Sequence, residues 1–357
     1  VTIVPPEPRP GAQVLEVPEL LYRAATAARD AGFRSGLFRG SHVPARVVSI
    51  GNLVAGGSGK TPLVALVAER FMAMGRRVAI LSRGYGRQAR GRIAVAPEDP
   101  EMDWRQIGDE PALLRRILPG LPMVIGADRV ASAWEAIRRF GADTLVMDDG
   151  FQHRWLARDV DVVLLDALRP LDNGHLLPRG LLREPPQALA RAHLLVLSAD
   201  RVPDDWQAAA ARVALWSRGV PVAGAVRVPT AWRDLGVGGR MPPEGLAGCR
   251  AVAFAGIARP NRFRDMVVRL GVEVAAFIPF RDHHRYSPFD LGEVAAAARR
   301  HGARVAVTTE KDAARLAGVA PPAGLPIHVL SIAMEVVWEA RVFWSVLTGQ
   351  PAPPGEV

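Results

Sequence analysis

Six consecutive residues, Gly56-Gly57-Ser58-Gly59-Lys60-Thr61, constrain this chain more than any other stretch. They follow a short β-branched run at 47–50 and precede an apolar stretch opened by Pro62. A glycine-rich turn between a strand and a helix points backbone N–H groups and the positive end of the helix dipole at one spot. That spot suits phosphate oxygens. Lys60 would reach the outer phosphates of a nucleotide, and the Thr61 hydroxyl would ligate Mg2+. The strict phosphate-loop spacing asks for glycine at 54, where this chain has Val54, a known variation. A turn with only a structural role is the alternative; the strand before it and the helix after it weigh against that.

Apolar runs at 47–50, 77–81, 144–147, 160–165, 193–197, 251–255 and 305–308 alternate with helical stretches at 62–74, 111–117, 129–139, 262–270 and 291–301. Several runs are unbroken rather than alternating, as in strands buried on both faces of a parallel sheet. The expected fold is therefore α/β, a mostly parallel sheet of the P-loop NTPase kind with helices on both faces, plus a second, smaller α/β domain. Ligands of such sheets sit beyond the carboxyl ends of the strands. Glycine and proline crowd 230–248, and a strand restarts at 251. The expected organisation is a basic amphipathic segment at 1–46, a nucleotide domain at 47–235, a smaller domain at 245–330 closing over the site, and a C-terminal helix and frayed tail at 331–357.

The formal net charge is +9 over 357 residues, which points to acidic partners: nucleic acid, anionic lipid or phosphorylated substrates. All but two of the 45 basic residues are arginine, the exceptions being Lys60 and Lys311. Arginine's fork cannot replace a compact ammonium everywhere, so both lysines invite attention. A single cysteine, Cys249, excludes an internal disulfide framework and a cysteine-built metal site. No apolar run reaches the roughly 18 residues of a membrane span, and the start has no signal-peptide core, so a cytoplasmic address is expected. Between 17 and 38, Val17, Leu20, Leu21, Ala24, Ala28, Leu37 and Phe38 interleave with Arg23, Arg29, Arg34 and Arg39. Such a helix either lies in a membrane interface or packs on the domain.

Acidic residues mark the ends of strands and loops. Asp148-Asp149 follow the run at 144–147, and adjacent carboxylates repel unless a cation offsets them; Mg2+ would do so, while capping is the structural alternative. Asp166 is a weaker rival for the same role. In Gly108-Asp109-Glu110-Pro111, Pro111 suits the first helical position, which makes Glu110 the expected N-cap. Asp109 is then either part of the cap or a general base for an attacking hydroxyl. In Asp282-His283-His284-Arg285-Tyr286, a histidine could orient and tune that base, or simply sit in a solvated loop. Arginines beside glycines and prolines suit phosphate contacts, with Arg83-Gly84-Tyr85-Gly86-Arg87 the best framed. Thr309-Glu310-Lys311-Asp312 has the wrong spacing for a guanine-reading motif.

Taken in order, these stretches resemble the tetraacyldisaccharide 4′-kinase family. The resemblance rests on Ser49-Ile50-Gly51-Asn52-Leu53 with the loop through Pro62, Leu81 to Arg87, Gly108 to Pro111, and Asp148-Asp149-Gly150-Phe151-Gln152-His153. It continues through Asn173 to Pro178, Leu182-Arg183-Glu184-Pro185, Asp282-His283 and Thr308 to Asp312. Asp172 departs from the glycine expected there. The resemblance implies ATP as donor, Mg2+ as metal and the 4′-hydroxyl of an acylated disaccharide 1-phosphate as acceptor, a step in lipid A biosynthesis. It implies Asp109 as base with His283 as its partner, and Lys60, Thr61, Asp148 and Asp149 at the nucleotide and metal. Arg129 is implied near the reacting centre, with Tyr85, Glu110, Gln152, His153, Arg183 and Glu184 in secondary or substrate roles.

Because Asp109 and His283 fall in different expected domains, domain closure is expected to assemble them. The resemblance also implies an N-terminal segment at the membrane; a peripheral protein at the anionic inner-membrane surface, a monomer and no nucleic-acid partner are expected. A switch ATPase would share the loop, but many carry a signature lysine where this chain has Ala55. A nucleic-acid-stimulated ATPase has only the charge in its favour, since aromatic residues for base stacking make up 6% of the chain.

Overall fold

The computed structural model describes residues 12–57, 59–236 and 238–350. Ser58, most of the expected tail and the first eleven residues lie outside them. In chain order the helices are α1 Glu16–Arg34, α2 Lys60–Ala73, α3 Trp104–Ile107, α4 Asp109–Ile117, α5 Arg129–Phe140, α6 Trp206–Ser217, α7 Pro260–Arg269, α8 Pro288–His301, α9 Glu310–Arg315 and α10 Ala340–Thr348. The strands are β1 Arg46–Asn52, β2 Val78–Ser82, β3 Ile93–Val95, β4 Met123–Ile125, β5 Thr144–Asp148, β6 Val160–Asp166, β7 Leu194–Ala199, β8 Val222–Asp234, β9 Arg240–Met241, β10 Arg250–Ala255, β11 Glu273–Pro279, β12 Val305–Thr309 and β13 Ile327–Trp338.

The chain forms two compact units, one drawn from 12–83, 128–226 and 335–350, the other from 84–127 and 227–334. In the first, parallel strands run in the order β2, β5, β1, β6, β7 and the start of β8. Every residue of β6 and β7 is buried, which is why these strands read as unbroken apolar runs. Helix α2 packs on β1, β2 and β5, and so places the glycine-rich loop at the carboxyl end of β1.

The second unit has its own parallel ladder, β11, β10, β12 and β13. One face is covered by Phe263, Met266 and Val267 of α7. The other carries Leu291, Val294 and Ala298 of α8, packed with Phe254 and Tyr286. Helix α8 opens with a full capping box between Ser287 and Asp290, which fixes where the preceding loop must end. The antiparallel pair β3–β4 and helices α3 and α4 belong to this unit, and α4 packs on α9.

Two expectations about organisation change here. Residues 84–127, expected in the nucleotide domain, join the second unit because α4 docks on α9. The chain's end, expected as a separate appendage, joins the first unit, where Trp338 stacks on Trp206 and the Leu347 carbonyl accepts from Arg46.

Candidate functional site

In the first unit the glycine-rich loop is braced from behind. Asn52 donates to the Val54 carbonyl at 2.5 Å, Ala55 N–H donates to Leu181 O at 2.7 Å, and Arg183 N–H to Leu53 O at 2.8 Å. Gly59 takes φ +89 at the N-cap of α2, a backbone open to glycine, and no side chain caps this helix. The first-turn N–H groups are thus left to a ligand's oxygens. Lys60 and Thr61, the first residues of α2, are both buried.

At the end of β5, Asp148 is buried and accepts from Ser82 Oγ at 3.3 Å. Asp149 follows in the left-handed region, φ +52, which turns its carboxylate toward two cations. Lys60 Nζ lies 3.2 Å from Oδ1, and Arg183 Nη1 lies 2.8 Å from both oxygens. Burial works to raise the Asp149 pKa, but Lys60 and Arg183 outweigh it and bring it to about 2. Gln152 bridges the parts, donating to Asn52 O at 3.0 Å and accepting from Arg183 at 3.4 Å. Arg129, buried at the start of α5, and Arg158 bear on His153, where burial first and these two charges second push the pKa down to about 4.

The second unit holds a different cluster. Helix α4 begins at Asp109, with Gly108 at φ +98 as its N-cap, so Glu110 is not the cap expected from Pro111. Gly108 must be glycine here: a Cβ on it would sit 3.0 Å from the Gly84 Cα, besides the strained φ. That close approach ties the loop around Tyr85 to the loop of Asp109. Asp109 Oδ1 accepts from Glu110 N–H at 3.0 Å, and Oδ2 lies 2.8 Å from His283 Nδ1.

His283 has φ +58, and its N–H is held by Gly256 O at 3.1 Å and Asp282 Oδ1 at 3.0 Å. Burial works to raise the Asp109 pKa, but the His283 hydrogen bond and charge, with Lys311 and Arg315, leave it below its ordinary value. The hydrogen bond to Asp109 raises the His283 pKa against burial. Tyr85 is exposed, its ring 5.7 Å from that of His283, and Glu110 pairs with Lys311 Nζ at 2.8 Å.

Each unit holds a recognisable part: in the first, an uncapped helix start with a lysine; in the second, a carboxylate whose proton affinity is set by a histidine. The profile of the tetraacyldisaccharide-1-phosphate 4′-kinase family (LpxK) matches residues 12–350. The chain belongs to the tetraacyldisaccharide 4′-kinase family. The kinase from Syntrophus aciditrophicus (strain SB) is 42% identical over 92% of this chain and 90% of its own. That of Anaeromyxobacter sp. (strain Fw109-5) is 46% identical over 86% and 84%. The crystal structure of the Aquifex aeolicus LpxK "apo" form in complex with ATP superimposes with a TM-score of 0.74 at 28% identity, covering 94% of this chain and 99% of that one.

Within this kinase, then, the expected residues gather into two clusters. Lys60, Thr61, Asp148, Asp149, Gln152 and Arg183 surround the loop of the first unit, with Arg129 beside His153. Tyr85, Asp109, Glu110 and His283 gather in the second. Asp109 and His283 were expected to come from different domains and to meet on closure; they lie in one unit, already in hydrogen-bond contact. Glu184 is buried and paired with Arg29 of α1 at 2.8 Å and Arg191 at 2.7 Å, a brace for the N-terminal helix. Asp166 accepts from Leu168 and Arg169 N–H, a local turn. Sequence reasoning gave no role to Lys311, Asp312 or Arg315, all of which the structure places beside the Asp109–His283 pair or the loop that carries it. Lys311 was signalled by the scarcity of lysine, and it and Asp312 fell within the Thr308 to Asp312 motif; Arg315 offered no signal.

Proposed function

We propose that Asp109, held by His283, takes the proton of the acceptor's 4′-hydroxyl while this kinase transfers the γ-phosphoryl of ATP to it. The hydroxyl oxygen forms a bond to the γ-phosphorus, the bond from that phosphorus to the β-bridging oxygen breaks, and ADP leaves. The hydroxyl proton passes to Asp109, which His283 holds ionised and oriented through the Nδ1 contact until that transfer. One observation carries this reading: the 2.8 Å contact between His283 Nδ1 and Asp109 Oδ2, on a carboxylate kept ionised by surrounding cations. The backbone of Gly56, Gly57 and Gly59, Lys60 and the N-terminus of α2 would cradle the phosphates.

The oxygens of Thr61 and Asp148 fit Mg2+, a hard cation that takes few protein ligands alongside substrate phosphates. Among the described residues no cluster of three or more acidic, histidine or cysteine side chains is arranged to hold a metal without such help. When bound, Mg2+ neutralises charge on the transferring phosphoryl group. Asp149, already engaged by Lys60 and Arg183, would orient that lysine. The nucleotide residues belong to the first unit and the acceptor residues to the second.

Helix α1 supports a membrane-facing orientation. Two of its acids are tied to the domain: Glu19 is buried, accepting from Leu176 N–H at 3.0 Å and from Arg23 at 3.1 Å, and Asp30 pairs with Arg154 at 2.7 Å, while Glu16 is exposed. Its apolar residues point outward, with Val17, Leu20 and Leu21 exposed at 67%, 64% and 67%. Exposed Arg23, Arg34 and Arg39 accompany them. No helix among the described residues is long and apolar enough to cross a membrane. We read this face as one that lies on an anionic bilayer, where the acceptor lipid resides.

The test is transfer of label from γ-labelled ATP to detergent-dispersed tetraacyldisaccharide 1-phosphate. Mg2+-dependent label in the lipid, reduced about a hundredfold or more in both Lys60→Ala and Asp109→Ala, is the expected result. Wild-type turnover in Asp109→Ala would refute the base assignment.

A further inference from the structure

We propose that Arg315 is a positioning residue that locks Asp109 and His283 into register. The inference rests on the reading of that pair given above. Arg315 is 1% exposed, and every part of its guanidinium is committed. Nε donates to Lys311 O at 3.2 Å, Nη1 to Gly256 O at 2.9 Å and His284 O at 3.4 Å, and Nη2 to Asp312 Oδ1 at 3.0 Å. Nε also stands 3.9 Å from Asp109 Oδ2. The Gly256 carbonyl that Arg315 grips is the one that accepts the His283 N–H, and His284 is the next residue. One guanidinium is therefore bonded on both sides of the strained His283 backbone while it faces that histidine's carboxylate partner.

The anchor is Asp312, 0% exposed. It accepts from Gly256 N–H at 2.9 Å, Tyr286 OH at 2.7 Å and Thr309 Oγ1 at 2.6 Å as well as from Arg315. A buried ion pair is weak evidence of a stability role, because apolar residues of similar volume often serve as well. What sets this pair apart is where its donors go: to the loop of His283 and toward Asp109. Arginine's planar, rigid fork can fix several such points at once, and a lysine cannot.

Asp109 faces His283, Lys311 and Arg315, with Glu110 adjacent; His283 faces Asp109, Asp282 and Lys311. Neutralising Arg315 removes one of three cations that favour the ionised carboxylate. The acid limb of kcat/KM must then move to higher pH, a change that a purely structural residue would not produce.

The experiment compares Arg315→Gln, Arg315→Lys and the doubly neutral R315Q/D312N with wild type and Asp109→Ala in the labelled-ATP assay, with thermal melts of each. Arg315→Gln should keep its KM for ATP within about twofold and lose kcat about tenfold to a hundredfold, as for a misplacement on the ångström scale. Its acid limb should move upward, and Arg315→Lys should recover part of the rate. A folded Arg315→Gln with wild-type kcat and acid limb overturns the proposal. If Arg315→Gln does not fold, the double variant takes its place under the same criteria. Failure of both to fold makes the pair a core element only, and also overturns it. Loss of turnover in Asp109→Ala with none in the Arg315 variants refutes this inference alone, whereas full turnover in Asp109→Ala refutes the base reading itself.

Discussion

His283 sits at φ +58, a backbone that costs a non-glycine residue roughly 1–2 kcal/mol, and it is held there by Gly256 O and Asp282 rather than by its own preference. The held conformation aims Nδ1 at Asp109 and sets the protonation of both groups. With the His283 pKa raised and that of Asp109 lowered, the charged pair persists to higher pH than a free histidine would allow, and the base stays ionised further into the acid range than a free carboxylate. His283→Ala removes both the hydrogen bond and the charge. The ascending limb of kcat/KM should move to higher pH as Asp109 protonates earlier, with kcat reduced as well; a profile between about pH 4 and 8 measures both. An unmoved limb would separate His283 from the base. Asp109 and His283 were legible through the ordered set of family motifs; taken singly, each allowed a capping or a loop role as well. Arg315 was not, because its partners are mainly backbone carbonyls, which no sequence displays. The N-cap was misplaced for a related reason: Gly108's positive φ starts α4 at Asp109, and a proline rule cannot see that angle.

Helix α1 inverts the usual arrangement of a surface helix, burying Glu19 against residues 175–179 while Val17, Leu20 and Leu21 face outward. The buried acid is supported: the Leu176 N–H, Arg23 and His175 hold its pKa below the ordinary value although burial opposes them. Tyr22 adds a hydrogen bond from its hydroxyl to Arg183 O at 2.9 Å, so the helix rests on the segment that braces the phosphate loop. Leu20→Asp with Leu21→Asp should leave the melting temperature nearly unchanged, since neither side chain is packed. Co-sedimentation with anionic vesicles should fall at least tenfold, and equal binding by wild type and variant would refute the membrane face. The residue spacing showed this stripe but could not say which way it faced, because that depends on ion pairs to residues more than a hundred positions away. Strand legibility followed burial: β1, β5, β6 and β7 are buried nearly throughout and read as apolar runs. By contrast β11 is half-exposed and rich in alanine, and β13 carries His328, Ser331 and Glu335, so neither stands out.

The chain leaves its first unit after residue 83, returns at 128, leaves again after 226 and returns at 335. Sequence reasoning looks for boundaries where glycine and proline loosen the chain, as around 230–248, yet two of these crossings fall within or beside motif loops at 83–84 and 127–128. Composition cannot reveal a unit assembled from separated segments, because its boundary is set by docking such as that of α4 on α9. Stability of the whole molecule toward acid should bear the mark of one half-buried group. His153 has its pKa pushed down to about 4 by burial and by Arg129 and Arg158, against about 6.5 in the unfolded chain. Since the unfolded chain takes up that proton first, the native state gains no benefit above pH 6.5 and loses stability as the pH falls from there to about 4. The loss amounts to roughly 3 kcal/mol at most if the whole difference is expressed. His153→Asn, which cannot titrate, should therefore show a shallower fall in melting temperature over that interval than wild type, even if its stability at pH 7.5 is lower. Parallel curves from pH 7 to 4 would mean that the unfolding molecule leaves His153 in the same environment, and the acid sensitivity would have to come from the carboxylates.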